Sequence, residues 1–276
     1  FRNENVLFRE SERLDVRLWI HHLFRDKEST PSFTEAGFCF VLIMLLQFAA
    51  IKFLGQATRQ ASIEELPSLS LKLLIVQQLA VIGTPALLMA VMLTTSARKS
   101  LLIRMPKPSM LGVAACLAII LHPLSLELSV IVGEFFRFPA LPPSVHKVLS
   151  LMTDGSQPLW LILLAFAIAP AICEELAFRG FILSGFRRSK YVGIAIVLSA
   201  LAFGIMHMIP QQVFNATLLG LVLGLIAVRS NSLLPGIAFH LIYNCLAVAH
   251  MRVSRIWVEG LPTWMDNTPF EWCLRM

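Results

Sequence analysis

Charge is what this chain has least of. Asp, Glu, Lys and Arg make up 14% of its 276 residues and apolar residues 57%, whereas soluble domains carry roughly 25% charged residues. That balance excludes an ordinary soluble domain and indicates a chain whose solvent is lipid. The cysteines are also uninformative as a scaffold. Cys39, Cys116, Cys173, Cys245 and Cys273 form no C-x-x-C pair, and four of them lie in apolar stretches, where a thiol behaves as a small hydrophobe. Neither a disulfide framework nor a thiolate metal site is expected. The chain opens on Phe1 and shows no charged segment, apolar core and cleavage site at its start, so no signal peptide is read there and a longer parent chain is expected. Internal repeats and low-complexity segments are missing too. The net charge of +6 does not indicate nucleic acid as a partner, because the Lys and Arg fall in short loops between apolar runs, as in cytoplasmic loops.

What is present is a series of long apolar runs, at 36–54, 71–95, 110–133, 158–183, 191–209, 212–228 and 233–251. Most approach the ~20 residues a helix needs to cross a bilayer. The expected fold is therefore an all-α, polytopic transmembrane helical bundle of about seven to eight spans, an integral multi-pass protein of the cell membrane in contact with lipid. Residues 1–35 mix Arg9, Glu10, Glu12, Arg13, Asp15 and Arg17 with Leu7, Phe8, Leu14, Leu18 and Trp19, the pattern of a cytoplasmic amphipathic or juxtamembrane helix. Residues 36–109 hold two amino-terminal spans and a basic loop, and 110–251 form the core. The stretch 134–157, with Pro139, Pro142 and Pro143, reads as a loop with a short surface helix. Residues 252–276, with Trp257, Trp264 and Trp272, read as an interfacial tail.

Basic loops set the orientation. Arg98, Lys99, Arg104 and Lys107 follow the second span, Arg187, Arg188 and Lys190 the fourth, and Arg229 the sixth, so those exits are expected in the cytoplasm. Measured from them at about 1.5 Å per residue, Glu174 lies ~20 Å deep, His207 ~25 Å, and His240 and Asn244 ~10–15 Å. For these groups to meet, the helices must tilt, or break at Pro170.

They are the residues that lipid tolerates least. An ionisable side chain near the bilayer centre costs roughly 2.5–3.5 kcal/mol on insertion scales, so it persists where it is paired, ligates something or does chemistry. Glu175 and Arg179 are four apart and share a helix face, which leaves Glu174 free of that pair. Phe203 and His207, and His240 and Asn244, repeat the four-residue spacing on two further helices. One carboxylate, two imidazoles and one amide can hold a divalent metal with an open position, or can activate water without metal; zinc suits these donors best. Taken singly, each has a plain reading: Glu175 with Arg179 a packing clamp, His207 a hydrogen-bonded packing histidine, Asn244 interhelical glue. Their recurrence in three successive apolar helices favours a site. His122 and His250 are read as packing residues. A non-catalytic or transport-coupled subunit, binding an ion or substrate at the same groups, is the alternative class.

The three motifs, Glu174-Glu175-x-x-x-Arg179, Phe203-x-x-x-His207 and His240-x-x-x-Asn244, resemble the signature of the CPBP intramembrane proteases, the CAAX prenyl endopeptidase and bacteriocin-processing group. The resemblance covers about 110–251. It implies that Glu174 and His207 activate water for peptide hydrolysis, that His240 and Asn244 stabilise the oxyanion or ligate a metal, that Glu175 and Arg179 brace the site, and that Phe203 packs beside it. It also implies a membrane-associated protein or peptide substrate reached from the cytoplasmic side. Residues 1–109 are similar, more faintly, to the first spans of chains in which such a domain follows an ABC-type export permease, which makes a fused or associated permease an expected partner.

Overall fold

The computed structural model describes residues 27–62, 64–137, 157–188 and 191–260. Most of the expected amino-terminal amphipathic segment, the proline-rich loop and its surface helix, and the end of the tail lie outside these residues. Among the described residues the chain is all-helical, as expected. Seven long helices follow one another, with one further helical turn at Ala97–Ser100: α1 Phe33–Gln60, α2 Leu66–Leu93, α3 Pro108–Phe136, α4 Leu159–Phe186, α5 Val192–Met206, α6 Pro210–Ser230 and α7 Leu234–Gly260. Six are long and apolar enough to cross a membrane, and α5 is shorter. No eighth span appears among the described residues.

Local chemistry explains where these helices begin. Ser32 caps α1: its Oγ accepts from the Glu35 backbone N–H at 3.2 Å, and the Glu35 carboxylate accepts from the Ser32 N–H at 2.6 Å. This reciprocal pair satisfies two orphan donors and starts the helix ahead of the apolar run. Proline stands in the first turn of α2, α3 and α6, where its missing N–H costs nothing. Helix α7 continues to Gly260, so the expected tail begins as helix.

Helix α4 is the centre of the bundle. Two-thirds of its apolar window is buried, against one-third or less in the other five spans. Lipid takes the outer faces, where Phe38, Leu45, Phe48 and Phe53 of α1 are exposed. Both α2 and α4 carry π-helical segments, at Gln78–Gly83, Leu164–Ile168 and Leu176–Ile182. The first two end two residues before Pro85 and Pro170, and the wider turn relieves the clash of a proline ring with the preceding turn. Pro170 therefore bulges α4 rather than breaking it. At one end of the bundle the loops meet: Thr95 N–H donates to Glu28 O at 2.8 Å, Leu233 N–H to Leu102 O at 3.0 Å and Ser232 Oγ–H to Arg104 O at 2.5 Å, while Arg188 pairs with Glu28.

Candidate active site

All seven residues singled out in the sequence lie on α4, at the carboxyl end of α5 or on α7. Glu174 and Glu175 end the α-helical stretch Ala169–Glu175 that separates the two π-helical segments of α4. Glu174 is 4% exposed, Glu175 0% and Arg179 1%. The i, i+4 pairing holds: Arg179 Nη1 donates to Glu175 Oε1 at 2.8 Å. Its guanidinium carbon lies 4.1 Å from the centre of the Phe203 ring, a cation–π contact strengthened by desolvation. The same Glu175 Oε1 lies 3.1 Å from His240 Nδ1. An ionised carboxylate only accepts, so Nδ1 is the donor. Nε2 of His240 then lies 3.8 Å from Glu174 Oε2, inside ion-pair range but too long for a hydrogen bond. Glu175 thus joins α4 to α7 and, through Arg179 on Phe203, to α5.

Two residues of this arrangement went unread in the sequence. Gln78 donates from Nε2 to Glu174 Oε1 at 2.8 Å, so Glu174 is not free once its neighbour is paired; α2 holds it. The available signal was the amide pair Gln77-Gln78 inside an otherwise apolar span. Gly236 of α7 is the second: a Cβ there would stand 2.8 Å from Glu175 Oε2, an oxygen that is buried without a hydrogen-bond partner. Only a hydrogen in place of a side chain lets that carboxylate lie against α7.

His207 is the C-cap of α5, beyond the last helical residue and not within the helix as the apolar run 191–209 implies. Its Nδ1 lies 2.9 Å from the Phe203 carbonyl oxygen, which can only accept; Nδ1 therefore carries hydrogen, and Nε2 is the nitrogen left to accept when the ring is unprotonated there. Phe203 is central, edge-on to His207 at 5.0 Å, to His240 at 6.0 Å and to Phe178 at 5.3 Å between ring centres. Asn244, one turn beyond His240, donates from Nδ2 to the Phe166 carbonyl at 3.0 Å, in the first π-helical segment of α4. Glu174, Glu175, Arg179, Phe203 and His240 thus form one contact network, His207 joins it through Phe203, and Asn244 ties its edge to α4.

The fit of a metal can be judged from the donors. Among the described residues no group of three or more His, Cys, Asp or Glu is arranged to hold an ion, while the Nδ1 contact of His240 with Glu175 leaves Nε2 as the ring's one ligating atom. His122 behaves as the packing residue expected of it. Its ring stands edge-on to Tyr243 at 5.2 Å, and Ser125, which bonds the His122 carbonyl at 2.9 Å, also bonds Tyr243 Oη, fastening α3 to α7.

Residues 156–246 match the family model described as type II CAAX prenyl endopeptidase Rce1-like. No curated protein and no solved structure matches the chain. The matched stretch holds Glu174-Glu175-x-x-x-Arg179, Phe203-x-x-x-His207 and His240-x-x-x-Asn244 in order, on the helices that carry the buried network, in a bundle with six helices long and apolar enough to span a membrane. Residues 156–246 of this integral membrane protein are thus similar to the type II CAAX prenyl endopeptidase Rce1-like family.

Proposed function

We propose that the chain hydrolyses a peptide bond in a membrane-associated protein or peptide, prenylated CAAX-type substrates foremost, with water activated by Glu174 and His207. One observation carries the reading: a carboxylate, Glu174, whose Oε2 faces an imidazole held in place by a second, fully buried carboxylate. Such an array is expensive inside a bilayer and suits proton transfer. In this mechanism Glu174 Oε2 takes a proton from a water whose other hydrogen is accepted by His207 Nε2. The water oxygen attacks the scissile carbonyl and the C=O electron pair moves onto oxygen. Asn244, with one Nδ2–H given to Phe166, has a second N–H to offer that oxyanion. The proton on Glu174 then goes to the departing amine nitrogen as the C–N bond breaks. Glu175 and Arg179 keep His240 Nε2 beside Glu174 throughout. The basic loops gathered at one end support a site open to the cytoplasm. A fused or associated ABC-type permease, expected from residues 1–109, is a further part of the proposal.

The test compares membranes holding wild type or Glu174→Ala for protein termini that appear only with the wild type, together with cleavage of a farnesylated CAAX-type peptide by the purified protein. New termini and peptide cleavage are expected from the wild type alone. Identical termini and an intact peptide in both would overturn the protease reading, and co-purification of a permease decides the partner.

A further inference from the structure

Helix α2 lies wholly outside the stretch that matches the protease family, yet it reaches the proposed base. We propose that Gln78 is a positioning residue of the hydrolytic site: its amide N–H holds Oε1 of Glu174 and leaves Oε2, the oxygen beside His240, to take the proton from water. The inference rests on Glu174 being the base.

Four observations carry it. The Gln78 Nε2 to Glu174 Oε1 distance is 2.8 Å, and an ionised carboxylate is compatible only with the nitrogen end of the amide turned towards it. The two oxygens of Glu174 are thereby made unequal, one bonded by an N–H and the other 3.8 Å from His240 Nε2. The backbone of α2 is shaped for the contact. Its π-helical segment begins at Gln78, and the residue inserted in such a turn rotates what precedes it by about 100° relative to a regular helix. At the far end of that segment Gly83 allows α2 to lie close against α4, because a Cβ there would stand 3.0 Å from Cys173 Sγ, next to Glu174. Finally, Gln78 Oε1 is buried without a hydrogen-bond partner. A buried acceptor left unpaired is costly, and helix glue alone would not favour it, which fits an amide kept for its hold on the base.

The experiment uses the full chain in detergent with a farnesylated CAAX-type peptide as the probe. Wild type is compared with Gln78→Met, which keeps length and loses the donor, and with Gln78→Asn, which keeps the amide but withdraws it by one methylene. Both variants are expected to lose kcat by roughly 10- to 100-fold, the scale of a misplaced catalytic group, with KM and thermal midpoint unchanged. A second readout needs no substrate: modification of Glu174 by dicyclohexylcarbodiimide, followed by mass spectrometry, is expected to run faster in both variants because Oε1 is no longer held. If wild type cleaves and both variants cleave equally well, or if kcat falls only with the thermal midpoint, the inference is overturned while the protease reading stands. If wild type leaves the peptide intact but the variants still label faster, the protease reading fails and the hold of Gln78 on Glu174 survives. Unchanged labelling overturns the hold itself.

Discussion

Two adjacent glutamates in one turn of α4 make different contacts, and the proposed roles follow from that difference. Glu175 accepts from Arg179 and from His240 through one oxygen, and it is wholly buried. Glu175→Gln strands a buried guanidinium and frees the imidazole, and unpairing a buried ion pair costs about 3 kcal/mol or more. A lower thermal midpoint in detergent, with reduced activity, is the expected result. Glu174→Gln keeps the size of the side chain and an oxygen to accept from Gln78 but cannot take a proton. It should lose at least roughly 10²-fold in activity with an unchanged midpoint. An active Glu174→Gln alongside an inactive, fully stable Glu175→Gln would exchange their roles. Gly236→Ala tests the same geometry from α7. The added methyl would meet Glu175 Oε2 at 2.8 Å, and that carboxylate has little room to yield because Arg179 and His240 hold it. Turnover should fall roughly 10-fold, since small displacements of a braced catalytic group are costly; an unchanged kcat would show the carboxylate is not tightly placed. Both glutamates were legible in the sequence from spacing and from the cost of charge in lipid. Gln78 and Gly236 were not, because an amide and a glycine carry no such cost and acquire meaning only from the atom opposite them.

Helix α5 departs most from its sequence expectation. The apolar run 191–209 has the length of a span, but the helix ends at Met206, Met208 turns with φ 58°, and Pro210 begins α6. Apolarity reports what a segment can touch and not where its hydrogen-bond ladder stops. The turn places His207 at a helix end, where its ring bonds the Phe203 carbonyl that the helix leaves open. The α5–α6 hairpin is among the most extensively packed pairs of helices in the bundle, and small residues make that possible. A Cβ on Gly220 would lie 3.0 Å from Ala200 Cα, and one on Gly224 2.9 Å from Ile196 Cγ2. Gly224→Val should therefore destabilise the protein by about 1–3 kcal/mol, the usual cost of overpacking, and reduce activity by loosening His207. Gly112→Ala is the control, because nothing lies within 4 Å of a Cβ there; replacing a helix-interior glycine should leave stability equal or higher by up to ~1 kcal/mol. Chemical unfolding of both variants in detergent decides the matter, and equal losses would show that the contact at Gly224 is not the cause.

For the whole molecule, the basic exits of α2, α4 and α6 gather at one end, joined by backbone hydrogen bonds and the Arg188–Glu28 pair. Cysteines introduced at Lys99, Arg187 and Arg229 should therefore all react with a membrane-impermeant maleimide from the cytoplasmic side of vesicles and none from the other. Labelling from opposite sides would break the proposed topology. Metal is decided on the same purified protein. If an ion is held by Glu174, His207, His240 and Asn244, elemental analysis should show it in wild type and not in a protein carrying both His207→Ala and His240→Ala. Equal content in the two would rule out that site.

Membrane residence, the helical fold and the identity of the costly residues were determined by the sequence, because hydropathy and charge in lipid are properties of each residue and its near neighbours. The spacing of four that joins Glu175 to Arg179 is local in the same sense, being set by the pitch of a single helix. Tertiary structure alone decided which oxygen of Glu174 is held and which is open, that Glu175 bonds His240 from another helix, that α5 stops at His207, and that α2 enters the site through Gln78. Each of these depends on an atom supplied by a distant part of the chain, or on a π-helical turn that rotates one helix against its neighbour, and neither leaves a periodic trace in the sequence.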